Sequence, residues 1–436
     1  MIKIEELLTK TQCIINYLKK NYKIRNKKVF IGYSKEEESI KKLISKISFY
    51  LSINNIIPVI SLRPTPTPII AHQIFLKRYI GGLLIYEDNH KNYEIKFLPE
   101  YASLPKLNII HEINNQAFSN IHANRKIKRL KKRKILKINP IDEYIKFLLN
   151  SINKKKFKRA GLRIMLNYID ESLYGYLDEI LLELGCDIFI MKGISHDDFC
   201  LKMKDMISKG NRFDAGLTIK NNGELLMVYD ENCESIKTNE LFSILYHYFI
   251  NNKKLGNVAR TPASTHLVDV IAEKYGCSSI EVNGGFEEIS EVLLNNLAVF
   301  GGDEEGGFSS CYHIPMRDAM YSSLILIEAL CDQKISDLCK IIKEKYGITY
   351  WKKRIIKSNL GLQNLYEKIN KINELYGLKV KNIKKFPNGF KIILEENNWV
   401  FLVQNEKSKL IKIFSESYSQ KIIKKIMNEI IEYVKN

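Results

Sequence analysis

Residues Gly81–Phe97 read GGLLIYEDNHKNYEIKF. Leu83–Tyr86 is a short apolar run of the kind that forms a buried strand. Two more such runs come before it, KVFIGY at Lys28–Tyr33 and IIPVIS at Ile56–Ser61. Helical periodicity fills the intervals, over Glu37–Leu51 and Ile69–Tyr79. Strand, helix, strand, helix, strand predicts a doubly wound α/β layer.

Downstream the alternation continues. Arg125–Lys137, RKIKRLKKRKILK, is a basic connector. After Pro140 the pattern predicts a helix over Ile141–Ile152, a strand at Leu162–Leu166, a helix over Tyr174–Leu184 and a strand at Asp187–Met191. In Phe213–Asn232, FDAGLTIKNNGELLMVYDEN, two apolar runs flank an Asn-Gly turn and read as a hairpin. Further on, helices are expected at His266–Tyr275 and after Gly285. Strands are expected at Ser279–Val282 and Leu297–Phe300, followed by a glycine-rich loop at Gly301–Phe308. A long helix should run from about Arg317 to Tyr346. Strands at Phe390–Leu394, Trp399–Val403 and Leu410–Phe414, with an amphipathic helix over Gln420–Val434, indicate a small α+β domain.

The 436 residues have an ordinary globular balance, 45% hydrophobic and 27% charged, so the chain can bury several cores. No apolar run approaches a membrane span, and MIKIEELLTK lacks the centre of a signal peptide. A cytoplasmic protein with no membrane partner is the expectation. The eight cysteines are scattered singly, which argues against a zinc ribbon or a C-x-x-C redox motif. The net charge of +19 has two readings: drift in a chain rich in Lys, Ile and Asn, or a polyanion partner such as nucleic acid, for which Arg125–Lys137 is the candidate surface.

The Gly81–Phe97 stretch resembles the catalytic loop of the α-D-phosphohexomutases, the family of phosphoglucomutase and phosphomannomutase. Other matches follow in order. Gly32-Tyr33 resembles the family's G-Y-D-x-R, with Ser34 and Glu36 in place of Asp and Arg. Thr67-Pro68 resembles the T-P before the catalytic loop. Pro262–Gly276, PASTHLVDVIAEKYG, and Gly301–Phe308, GGDEEGGF, are close to the family patterns, and Arg317-Asp318 resembles R-D-G. Ordered matches of this kind make a consistent case for the fold. The resemblance implies three α/β mixed-sheet domains plus a smaller α+β C-terminal domain around a central cleft. The expected domains are residues 1–138, 139–238, 239–360 and 361–436, carrying the former phosphoserine, metal, sugar-binding and phosphate-binding loops in turn.

What the resemblance implies about chemistry is mostly loss. Asp88 stands where the family has its phosphorylated serine, Asn89 and His90 replace the next two residues, and about two residues are missing before Ile95. The metal loop D-G-D-A-D-R falls on Lys220–Leu225, so its three carboxylates become Lys220, Asn222 and Glu224. A hard cation wants several oxygen ligands, mostly anionic, and an ammonium is the opposite. Asp88, Lys220 and Glu224 sum to about −1. Either Lys220 takes the cation's place against Asp88 and Glu224, or the segment is an exposed turn. In the sugar loop, Asp303 replaces Glu, Glu304 is retained and Glu305 replaces Ser. The family's nearby Lys is Glu287. The phosphate loop falls on Val403–Lys409, where only Lys407 and Lys409 could compensate for the phosphate-binding residues that are lost.

The expectation is therefore a phosphohexomutase-fold protein without mutase activity, with a binding or regulatory role. No cofactor is expected, or Mg²⁺ if the chain is active. Sugar phosphate is the candidate ligand, and no protein partner is identifiable. The alternatives are an active hexose-phosphate mutase with rebuilt loops and a basic adaptor for a polyanion.

Overall fold

The computed structural model describes residues 4–24, 27–88, 91–119, 134–358, 360–404 and 409–435. It divides into two compact units, residues 1–236 with 307–335, and residues 237–306 with 336–436. The fold is α/β, with mixed sheets in the first unit and an antiparallel terminal sheet, as the resemblance implies.

In the first unit one sheet has the order Tyr93–Pro99, Gly81–Glu87, Lys28–Tyr33, Ile57–Ser61, Leu136–Ile138. All its neighbours are parallel except the hairpin Gly81–Glu87 with Tyr93–Pro99. Helix Thr67–Lys77 lies very close to this sheet because two adjacent strands carry glycine there. A Cβ on Gly32 would stand 2.7 Å from Ile70 Cδ1, and one on Gly82 would stand 2.6 Å from Ile70 Cγ2. A helix that sequence periodicity did not single out, Ile4–Asn21, buries Leu7, Cys13, Ile14, Ile15 and Leu18. The second sheet of this unit has the order Ser235–Ile236, Leu225–Tyr229, Ala215–Lys220, Arg163–Tyr168, Asp187–Lys192.

The same unit contains a buried polar hub at the start of helix Ala319–Leu330. Asp318 caps that helix, accepting from the N–H groups of Met320 and Tyr321 at 3.0 Å each. Its other oxygen accepts from the Tyr144 hydroxyl at 2.5 Å and lies 2.7 Å from His313 Nε2. The His313 ring stacks on Tyr321 and Phe147. Phe147 also meets His72, at 4.8 Å. Burial, with the nearby His313 adding to it, pushes the His72 imidazole down to about 4. The folded state thus keeps His72 neutral while the unfolded chain takes up a proton at about pH 6.5. Stability should be unaffected above that pH and should fall as pH drops from about 6.5 to about 4, by roughly 1.4 kcal/mol per unit. His72→Phe should flatten this slope in urea melts run across the window. An unchanged slope would assign the acid sensitivity elsewhere.

The long helix expected over 317–346 is two helices, Ala319–Leu330 and Ile335–Tyr346. The first is buried on all sides, whereas Cys331–Lys334 supplies no apolar continuation and Asp332 pairs with Lys156 at 2.6 Å. The expected helix over Tyr174–Leu184 begins later, at Leu177, after a 3-10 turn at Glu171–Leu173.

In the second unit, strands Ser279–Glu281, Val258–Arg260 and Phe300–Gly302 run parallel in that spatial order. A six-stranded antiparallel sheet follows, ordered Tyr350–Lys357, Leu410–Ser417, Trp399–Gln404, Gly389–Leu394, Leu378–Phe386, Glu374–Leu375. Helix Gln420–Lys435 lays Ile423, Ile426, Met427, Ile430 and Val434 onto it. Among the described residues no helix is long and apolar enough to cross a membrane.

Candidate functional site

Asp88 opens the loop between strands Gly81–Glu87 and Tyr93–Pro99, whose register closes at Glu87 opposite Tyr93. Its N–H donates to the Asn92 carbonyl at 2.8 Å, and its carboxylate accepts from the Asn92 N–H at 2.8 Å. Lys91, at φ 60, donates its N–H to the Asp88 carbonyl at 3.0 Å. This local bonding is what Asp does in tight turns. The carboxylate shapes its own loop. Asn89 and His90 lie outside the described residues.

The hairpin turn between Ala215–Lys220 and Leu225–Tyr229 is not an exposed apex. Asn221, Asn222 and Gly223 all have positive φ, at 56°, 53° and 88°, the conformation that Asn and Gly tolerate. The backbone is tied down on three sides. Asn222 N–H donates to Asp170 Oδ2 at 2.8 Å, Thr67 N–H to the Asn222 carbonyl at 2.9 Å, and Ala319 N–H to the Gly223 carbonyl at 2.9 Å. A Cβ on Gly223 would stand within 3.2 Å of Pro66, Leu173 and Pro68. The Thr67-Pro68 pair therefore serves as the seat of this turn. Asp170 is pushed up by burial.

Glu224, next in the turn, is 1% exposed. Lys96 from strand Tyr93–Pro99 forms a direct ion pair with it, and Arg317 Nη1 lies 3.7 Å from its other oxygen. The Lys96 ammonium also stands over the Tyr86 ring at 5.6 Å. The expectation that Lys220 neutralises Glu224 or Asp88 is corrected here. No ion pair of Lys220 falls within 4 Å among the described residues, and its charge bears on His196 instead. The ladder puts Lys220 directly opposite Leu225, so it shares that residue's face of the sheet. Lys96 lies in the Gly81–Phe97 stretch and Arg317 in the Arg317-Asp318 match, but no local pattern signals their role, because Glu224 is more than ninety positions away from each.

These residues do not fit a divalent cation. Glu224 is committed to two cationic side chains, and with Lys220 on another face the neutral amide of Asn222 is left in place of the several, mostly anionic, oxygens that a hard cation wants. Among the described residues no cluster of three or more His, Cys, Asp or Glu is arranged to hold a metal.

In the second unit the loop after Phe300–Gly302 keeps an acidic cluster. Asp303 is 1% exposed and accepts from the Glu305 N–H at 3.0 Å. Glu304, partly buried, accepts from the Thr261 hydroxyl at 2.6 Å. Burial, with the Asp303 charge beside it, pushes Glu304 up to about 7. A carboxyl poised there can accept from or donate to a hydroxyl near neutral pH. Glu305 is exposed and lies 4.0 Å from Lys353. Glu287 turns back to accept from the Gly285 N–H at 3.0 Å. Lys409 is exposed, and Lys407 lies outside the described residues.

The family model for phosphoglucomutase/phosphomannomutase α/β/α domain III matches residues 237–346. A phosphoglucosamine mutase of Campylobacter fetus is 25% identical over 339 residues, 72% of this chain and 75% of that protein. One from Nautilia profundicola is 25% identical over 282 residues, 61% of this chain, and the match spans 63% of that relative's length. Among solved structures, the open form of the Paramecium parafusin phosphoglucomutase superposes with a TM-score of 0.81. It is 14% identical, with 98% of this chain and 92% of that one covered.

Proposed function

The chain belongs to the α-D-phosphohexomutase family, and from that premise we propose that it is a catalytically inactive homologue with a binding or regulatory role. The observation that carries this reading is the ion pair of Glu224 with Lys96, reinforced by Arg317. Phosphoryl transfer needs a nucleophile and a cation to neutralise the charge that develops. Here the one carboxylate left in the turn is spent on the chain's own cations. Asp88, at the nucleophile position, is bonded within its loop.

The ligand class we propose is a sugar phosphate. Amino-sugar phosphates come first, because the relatives named above are phosphoglucosamine mutases. Glu304 and Asp303 are the residues we assign to it, with Glu305, Lys407 and Lys409 at the rim. We propose four domains with the boundaries 1–138, 139–238, 239–360 and 361–436, and no resident cofactor. A second reading, an active mutase with rebuilt loops, is favoured by Glu304 alone, whose raised titration suits an acid–base group. A polyanion-binding role for Arg125–Lys137 falls largely on residues outside those described.

The test is calorimetric titration with Mg²⁺ and Mn²⁺. The inactive reading expects no saturable heat. A stoichiometric site that disappears in Glu224→Ala would favour the active reading.

A further inference from the structure

Two of the cysteines that are scattered in the sequence meet in the first unit. Cys200 lies on helix His196–Ser208, and Cys233 lies in the turn between strands Leu225–Tyr229 and Ser235–Ile236. They are 33 positions apart in the chain, yet their sulfurs stand 3.7 Å apart. Each thiol also faces the other's carbonyl. Cys233 Sγ is 3.4 Å from the Cys200 oxygen, and Cys200 Sγ is 3.9 Å from the Cys233 oxygen. Both are free thiols.

The backbone around the pair is fixed without a covalent bond. Cys233 has φ 63°, and its N–H donates to the Asp230 carbonyl at 2.9 Å. The Asp230 carboxylate accepts from the N–H groups of Asn232 at 2.9 Å and Glu234 at 2.7 Å. Phe199 and Met203, beside Cys200 on the helix, are buried in one cluster with Cys233 and Tyr229. A disulfide needs its sulfurs about 2.05 Å apart, a closure that side-chain rotation supplies from 3.7 Å. The two thiols differ in access: Cys200 is half-buried, whereas Cys233 is 1% exposed. Burial pushes the Cys233 thiol up to about 12, the hydrogen bond and charge of Cys200 add to this, and Lys204 works against it. Oxidising Cys200 removes its thiolate charge, so the Cys233 thiolate becomes easier to form once its partner has reacted.

We propose that Cys200 and Cys233 are a reversible oxidation site, in which hydrogen peroxide oxidises Cys200 and Cys233 closes a disulfide. The Cys200 thiolate attacks the peroxide, its S–O bond forms as the O–O bond breaks, and the departing hydroxide takes up a proton as water. Cys233 sulfur then attacks the sulfenic sulfur. The S–S bond forms, the S–O bond breaks, and the proton of Cys233 leaves with the hydroxide as a second water. Two thiols are oxidised to one disulfide, and one peroxide is reduced to two waters. A dithiol returns the site to its starting state by exchange. The bond fastens helix His196–Ser208 to the hairpin that begins at Leu225, closing a long loop of chain. This inference does not depend on whether Asp88 carries chemistry.

Peptide mapping of the full chain tests it, after treatment of the reduced protein with hydrogen peroxide and alkylation in denaturant without reductant. The expected product is a linked Cys200–Cys233 peptide, two hydrogens lighter than its reduced parts and lost on adding dithiothreitol. In Cys233→Ser, dimedone should trap a sulfenic acid on Cys200; in Cys200→Ser, Cys233 should stay reduced. Amides of His196–Ser208 should exchange about a hundredfold more slowly in the oxidised chain. Unsubstituted protein in which Cys200 goes on to the sulfinic acid, or stays alkylatable, while Cys233 remains a free thiol would overturn the proposal even if the variants failed to fold. Oxidation of Cys233 in Cys200→Ser would overturn the order of events, and unchanged exchange would overturn the fastening.

Discussion

Replacing Lys96 by Met should destabilise the first unit by about 3–5 kcal/mol, the cost of stranding one member of a buried ion pair. Glu224 is 1% exposed, and Lys96 is its direct partner. Arg317, at 3.7 Å, would remain as partial compensation, so the lower end of that range is the expectation. Glu224→Gln in the same chain should recover most of the loss, because a neutral amide needs no counter-charge. The double-mutant cycle isolates the coupling. Both tryptophans, Trp351 and Trp399, lie in the second unit, so their fluorescence would miss the effect. Far-UV circular dichroism or exchange at Leu225–Tyr229 follows the relevant body. Additive single effects would mean that the pair is incidental to the turn.

Much of the fold was legible because it rests on local signals. The runs KVFIGY and LLIY are apolar on both faces, as strands covered on both sides must be, and they form the central parallel pair. Asn222-Gly223 announced its turn through the backbone conformations these residues allow. Strands Tyr350–Lys357 and Leu378–Phe386 give no clear strand pattern because lysine and arginine interrupt the alternation in YWKKRIIK and LKVKNIKKF. The long stems of such residues can lie along a sheet while the charge reaches water. Helix Ile335–Tyr346 reads as continuous with Ala319–Leu330 because sequence periodicity does not show when burial changes from all-round to one-sided.

At the site, the motif positions of Asp88, Glu224 and Glu304 could be read in the sequence, but their partners could not. Lys96 meets Glu224, Thr261 meets Glu304 and Lys391 meets Glu281 only because separate strands are brought together. Lys220 was the nearest cation in sequence and so the natural candidate. Strand alternation assigned it to another face.

Intact-mass analysis after incubation with glucose 1,6-bisphosphate and Mg²⁺ tests the central claim most directly. Attack by a carboxylate on a phosphoryl group creates charge that a cation must neutralise. Each missing electrostatic group of this kind costs roughly 10²–10³ in rate. Asp88 is bonded to Asn92 within its loop, and the carboxylate that a cation would need is held by Lys96 and Arg317. The account predicts an unmodified mass and no release of glucose 6-phosphate. A hydroxylamine-sensitive phosphoryl adduct that disappears in Asp88→Asn would contradict it, and would make the chain an enzyme that rebuilt its nucleophile on aspartate.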